Sequence, residues 1–125
     1  MLDLAAGRAL GQALLGPPPG DVFACIPSTW VLEAVLEPLA WHAAHGAGSP
    51  NTVLNACRDW RYAVAGIWGS QKEGGNWARQ QRPDLSVIAQ ALSARLPGTT
   101  LPSHAVLAFK ARPHRWRTRA LKAFV

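Results

Sequence analysis

Apolar residues recur in this chain at steps of three and four, and no stretch alternates as a half-buried strand must. The clearest run is Val53, Leu54, Cys57, Trp60, Arg61 and Val64, closed by Gly66. Glycine is favoured where a helix ends in the left-handed region, because it has no Cβ to clash there. Ser70-Gln71-Lys72-Glu73 comes next, in the form of a capping box. The Ser70 hydroxyl can accept from the backbone N–H of Glu73, and the Glu73 carboxylate can accept from that of Ser70. This predicts a new helix holding Gly74, Gly75, Trp77 and Ala78. Each glycine costs about 1 kcal/mol relative to alanine in a helix, so the pair implies close approach by a neighbouring helix or a ligand.

The other segments read the same way. Leu2, Ala6, Ala9, Leu10, Ala13 and Leu14 predict a helix over 2–15, stopped by Gly16-Pro17-Pro18-Pro19-Gly20. Asp21 to Phe23 and Ile26-Pro27 read as an extended connection, with Phe23 and Ile26 plugging the core. Ser28 is a good N-cap for a helix with Trp30, Val31, Ala34 and Val35 as its apolar stripe. Pro38 either kinks that helix or starts another turn. The pattern fades into a loop over 45–50. Pro83-Asp84 opens a further helix with Leu85, Ile88, Ala91, Leu92 and Arg95, closed by Pro97-Gly98. A last one starts near 100–103 with Val106, Leu107 and Lys110, and Pro113 interrupts the helical pattern beyond it. The expected fold is all-α, a small bundle of about five to six helices with short Pro/Gly-rich connections, forming one helical domain over 1–125.

Composition narrows the function classes. At 125 residues and 49% hydrophobic, the chain can bury one core. Two cysteines, Cys25 and Cys57, are too few for a disulfide scaffold, and Cys57 on its apolar stripe reads as a small buried hydrophobe. No run is long and apolar enough to span a bilayer, and Asp3 without a basic cluster argues against a signal peptide, so a cytoplasmic protein is expected. The net charge of +6 is uneven: residues 1–108 balance, and the tail 109–125 supplies Lys110, Arg112, Arg115, Arg117, Arg119 and Lys122 with no acid. With no basic patch in the body to extend the footprint, nucleic acid is not the expected partner.

Few residues form a chemical constellation. There is no Gly-rich phosphate loop and no serine in a nucleophile elbow. Glu33 and Glu37 lie one helical turn apart and read as a solvated face. His42 and His45 would make half a metal site, with no second pair to complete it. Trp60, Tyr62, Trp68 and Trp77 are denser than a core requires; core packing is the plainer reading and a stacking platform the sharper one.

The run Ser49 to Arg58, then Tyr62, Gly66 and Ser70 to Ala78, resembles the C-terminal helical domain of aminoglycoside adenylyltransferases of the streptomycin/spectinomycin type. Leu14-Leu15-Gly16-Pro17-Pro18-Pro19 with Val22-Phe23 after it is similar to the stretch upstream in that family, and the likeness covers about 4–96. The resemblance implies the helical half of a two-domain enzyme that transfers AMP from Mg-ATP to a drug hydroxyl. The family's other half, an N-terminal nucleotidyltransferase domain, carries a G-S motif, metal-binding aspartates and the base. This sequence holds no D-x-D pair and no G-S motif accompanied by one, so the isolated chain is expected to be inactive. By resemblance, Lys72, Gln71 and Arg58 are the nucleotide-contacting candidates, Arg61 an alternative to Arg58, and Trp68, Trp77 and Asn51 the pocket candidates.

Two departures bear on that reading. The family's phosphate-reaching lysine falls at Gln71, and Lys72 is one step on, a turn of about 100° round a helix. The loop from His42 to Ser49, where the family places acids for the cationic drug, has none, with Ala44 and Gly48 near those positions. Charge-assisted hydrogen bonds dominate recognition of such a cation, so their loss weakens it. The expected partners are a nucleotidyltransferase domain, in cis or trans, with aminoglycoside and ATP only where that domain completes the cleft. The other readings are a helical interaction module that docks on such a domain and, as the lesser one, a nucleic-acid binder acting through the basic tail.

Overall fold

A computed structural model describes residues 2–45, 48–94, 99–102 and 104–106, apart from the side chains of Leu36 and of 38–45. Among the described residues every regular element is a helix. In chain order these are α1 (Leu2–Leu10), α2 (Pro19–Val22), α3 (Ser28–His45), α4 (Pro50–Ala65), α5 (Gln71–Gln81) and α6 (Ser86–Ser93), with a helical turn after them at 104–106. The expected all-α bundle is the observed one.

The core lies between α4, α5 and α6. Val53, Leu54, Cys57, Ala78, Val87, Ile88 and Ala91 bury there, with Leu101 and Val106 closing one end. Leu101 is held by its N–H, which donates to the Gly48 carbonyl at 2.7 Å, beside the C-terminal end of α3. Leu32 and Ala63 form a second small cluster that seats α3 on α4. α1 and α2 make an outer layer, and neither buries any residue fully.

The α4–α5 hairpin agrees closely with the sequence reading. Gly66 caps α4 in the left-handed region at φ 67°, its N–H donating to the Tyr62 carbonyl at 2.8 Å. Both arms of the capping box are made: the Ser70 N–H donates to Glu73 Oε2 at 2.7 Å, and the Glu73 N–H to the Ser70 hydroxyl at 3.2 Å. The glycine pair serves helix packing. A Cβ on Gly74 would lie 2.5 Å from Cα of Arg58, and one on Gly75 would lie 2.8 Å from Leu54 Cδ2.

The N-terminal layer departs from expectation. The first helix stops at Leu10, not near residue 15, and Leu14 and Leu15 are 96% and 95% exposed. Gly11 weakens the helix there, and no core face lies beneath Leu14 and Leu15 to reward its continuation. Asp21 and Val22 belong to the short helix α2, not to an extended connection, because Pro18-Pro19 supplies a preset first turn. Phe23 stays partly exposed and Ile26 is only half-buried, so neither plugs the core. On α3 the buried stripe is Val31, Leu32 and Val35; Trp30 is 55% exposed. α3 continues through Pro38 rather than ending there. The next expected helix, from Pro83, starts at Ser86. The side chains of His42 and His45, the tail 109–125 and Pro113 lie outside the described residues.

Candidate functional site

Asn51, Asn55, Arg58 and Tyr62 recur at steps of four, three and four along α4. At about 100° per residue they fall on one stripe of its surface. The stripe borders the seam with α5. Exposed Asn51 begins it in the first turn of α4, while Asn55, Arg58 and Tyr62 are half-buried. Two neighbours from beyond α4 close onto it. Gln71 Nε2 donates to Asn55 Oδ1 at 2.8 Å, and the Trp68 ring lies 4.3 Å from that of Tyr62, tilted by 37°. Burial pushes the Tyr62 phenol above its ordinary value, so it stays a neutral hydrogen-bonding group at neutral pH.

Among the residues singled out from sequence, Asn51, Arg58, Gln71 and Trp68 therefore gather on this stripe. Lys72 is exposed on the next position of α5, about 100° from Gln71, and makes no hydrogen bond or ion pair among the described residues. Trp77 sits on the core side, edge-on to Trp60 with centroids 5.0 Å apart, and packs against the central cluster. Sequence reasoning missed Asn55; its signal is the i, i+4 step from Asn51.

Charge around the seam is unevenly satisfied. Asp59 is 5% exposed, and its pKa is raised to about 6. Burial is the larger cause, and the Arg58 guanidinium, 3.4 Å away, only partly opposes it. Cys57 is buried and pushed to about 12, first by burial and then by the Asp59 charge. A thiol so placed stays protonated and inert. Arg61 Nε and Nη1 are buried with no hydrogen-bond acceptor among the described residues. Its Nη1 occupies space that a Cβ on Gly69 would invade at 2.7 Å, next to Glu73. Hydrogen bonds from Ser70 hold the Glu73 carboxyl below its usual range, with the Arg61 charge adding to that.

A family model described as "aminoglycoside adenylyltransferase, C-terminal domain" matches residues 21–107. The chain belongs to this family. The matched span takes in α3 to α6, the whole α4 stripe and both partners that close on it. No curated relative matches the chain. Among the described residues no three His, Cys, Asp or Glu side chains are grouped to hold a metal ion. Arg58 and Arg61 on α4 and Lys72 on α5 are the cations nearest this stripe in sequence, and the Gln71 amide is spent on Asn55. Among the described residues no helix is long and apolar enough to cross a membrane.

Proposed function

We propose that the chain is the substrate- and ATP-side half of an adenylyl-transfer enzyme, acting with a nucleotidyltransferase domain in cis or in trans. The observation that carries this is the coincidence of the family match with the polar stripe Asn51–Asn55–Arg58–Tyr62 and its partners Gln71 and Trp68. In this reading the catalytic domain brings Mg-ATP, the source of the transferred AMP, and the stripe forms the opposite wall of the cleft. Arg58 and Lys72 supply positive charge toward the phosphates, which phosphoryl chemistry needs for positioning and charge neutralisation. Asn51, Asn55 and Trp68 offer amides and a ring face to the sugar hydroxyls of an aminoglycoside. The isolated chain has no nucleophile-activating base on the stripe, so it binds weakly and transfers nothing.

The test is an adenylyl-transfer assay with Mg-ATP and streptomycin, run on the chain alone and on the chain mixed with a nucleotidyltransferase domain. Turnover by the chain alone would sink the proposal. Absence of turnover in both, with no ATP-dependent shift in the chain's tryptophan fluorescence, would also count against it.

A second reading is an interaction module whose role is to dock on a separately encoded catalytic domain. It is favoured by the apolar N-terminal layer, where Leu10, Leu14, Leu15 and Val22 are all exposed. Co-purification with such a domain, lost on replacing Leu14 and Leu15 by glutamine, distinguishes it.

A further inference from the structure

Thr52, Ala56, Asp59 and Ala63 recur along α4 at steps of four, three and four, and all four are buried. This stripe turns toward α3, where Ala63 packs on Leu32. Among the described residues the fully buried polar side chains are Thr52 and Asp59, and both lie on it. The neighbouring face of α4 buries Val53, Leu54 and Cys57 against α5 and α6. The α4–α6 core is therefore apolar, whereas the seam with α3 holds a hydroxyl and a carboxylate beside a small apolar cluster. Burying a charge is costly unless it is closely paired and hydrogen-bonded.

Asp59 is poorly compensated for that burial. Its hydrogen-bond partner among the described residues is Arg58 Nε, at 3.4 Å, and Cys57 keeps its proton. Leu32 and Ala63 stand equally far from the loop joining α3 to α4, so the two helices run antiparallel and Asp59 lies level with Leu36. The buried α3 residues near that level, Leu32 and Val35, do not titrate. Glu37 and Glu33, level with it and one turn away, are exposed. His42 and His45, whose side chains lie outside the described residues, are level with the first turn of α4, at least about 9 Å along the axis from Asp59. α5 meets α4 at Leu54 and Arg58, about 140° and 100° round the helix from Asp59, so Lys72, Glu73 and Arg79 stand on another side. α6 carries no charged residue. Burial accordingly outweighs Arg58 and raises the carboxyl to about 6.

The outer layer hangs on this seam. α1 packs on α2 and α3, and Arg8 ties it to the carbonyls of Gly20 and Phe23. We infer that the α3–α4 seam is a proton-operated latch: with the Asp59 carboxyl neutral, α1–α3 stay docked on the α4–α6 core, and its ionisation lets them lift off as a unit. The docked carboxyl holds its proton more tightly than an exposed one, so docking is firmest in acid and weakens as pH rises. Tyr62 and Asn55 lie about 60° and 40° round α4 from Asp59, so lifting α3 uncovers that border of the polar stripe. The latch sets how open the stripe is and does not depend on the adenylyl-transfer reading.

The test is hydrogen exchange of the full chain, read by peptide mass spectrometry at about pH 4.5 and about pH 7 and corrected for the intrinsic pH dependence of amide exchange. Peptides within 28–37 report α3, and peptides within 71–81 report α5. Near pH 7 the α3 amides should be at least about tenfold less protected than those of α5. Between the two pH values their protection should fall about twentyfold, the change expected for a carboxyl at about 6 when docked and about 3.9 when exposed. In Asp59→Asn, whose side chain cannot ionise, the fall should be less than about threefold. Exchange of α3 in step with α5 at both pH values would mean a single global opening and overturn the proposal. So would pH-independent protection of α3 in the parent, or an equal fall in Asp59→Asn. The first two outcomes are read on the parent alone, so the test stands even where the variant fails to fold.

Discussion

Replacing Gly74 by alanine tests the α4–α5 seam most directly. The added methyl would sit 2.5 Å from Cα, 2.7 Å from N and 3.0 Å from Cβ of Arg58. Ordinary carbon contacts need about 3.5–4.0 Å, so the helices must part by about 1 Å at their closest point. The obstacle is the α4 backbone, which cannot rotate away as a side chain can. Opening the seam loosens Leu54, Cys57 and Ala78, all fully buried. Overpacking costs about 1–3 kcal/mol, and a backbone obstacle belongs at the upper end. The gain in helix propensity on leaving glycine returns about 1 kcal/mol. The net expectation is a loss of about 2 kcal/mol, or about 8 °C in melting temperature for a domain of this size. Gly75→Ala is the internal control. Its new methyl meets side-chain ends, Leu54 Cδ2 and Leu92 Cδ2, both at 2.8 Å, and Leu92 is only half-buried and can swing aside. It should cost at least about 1 kcal/mol less than Gly74→Ala. Urea unfolding monitored by tryptophan fluorescence reads both, since Trp60 and Trp77 pack against this core. A Gly74→Ala protein as stable as the parent, or less perturbed than Gly75→Ala, would refute the close-approach account.

Other perturbations have distinct signatures. The Asp59 pKa is about 6 when folded, against about 3.9 in an unfolded chain. The folded state therefore binds the proton more tightly in that window, and stability should fall as pH rises from about 4 to 6, by about 3 kcal/mol. Asp59→Asn should flatten this slope, measured by urea melts across pH; an unchanged slope would place its origin elsewhere. Ser70→Ala removes the cap of α5 and should cost about 1 kcal/mol, seen as a lower urea midpoint with unchanged m-value. Gly66→Ala forces a side chain into φ 67° and should cost about 1 kcal/mol by the same assay. The double change of Leu14 and Leu15 to glutamine should leave the melting curve within about 0.5 kcal/mol of the parent, because neither side chain is covered.

The geometry of the candidate stripe was legible in part. Asn51, Arg58 and Gln71 could be picked from sequence because they sit inside motifs of fixed spacing. That Gln71 spends its amide on Asn55 could not, since it depends on how α5 crosses α4. Trp68 and Trp77 looked alike as aromatic residues at similar spacing. The crossing separated them, turning Trp77 toward Trp60 and the core and leaving Trp68 on Tyr62.

Local chemistry explains what the sequence determined by itself. The capping box at Ser70, the left-handed close at Gly66 and the stripe of α4 depend on residues within one or two turns of each other, so their patterns are readable without a partner. Even the glycine pair announced a close approach, because its cost in a helix demands a return. Tertiary structure decided what needed a surface to press against. The first helix stopped at Leu10 because no core lies beneath Leu14 and Leu15. Trp30 turned outward because Val31, Leu32 and Val35 claimed the face toward α4. Helical spacing names the residues that can share a face, and only the neighbouring helix decides which face is buried.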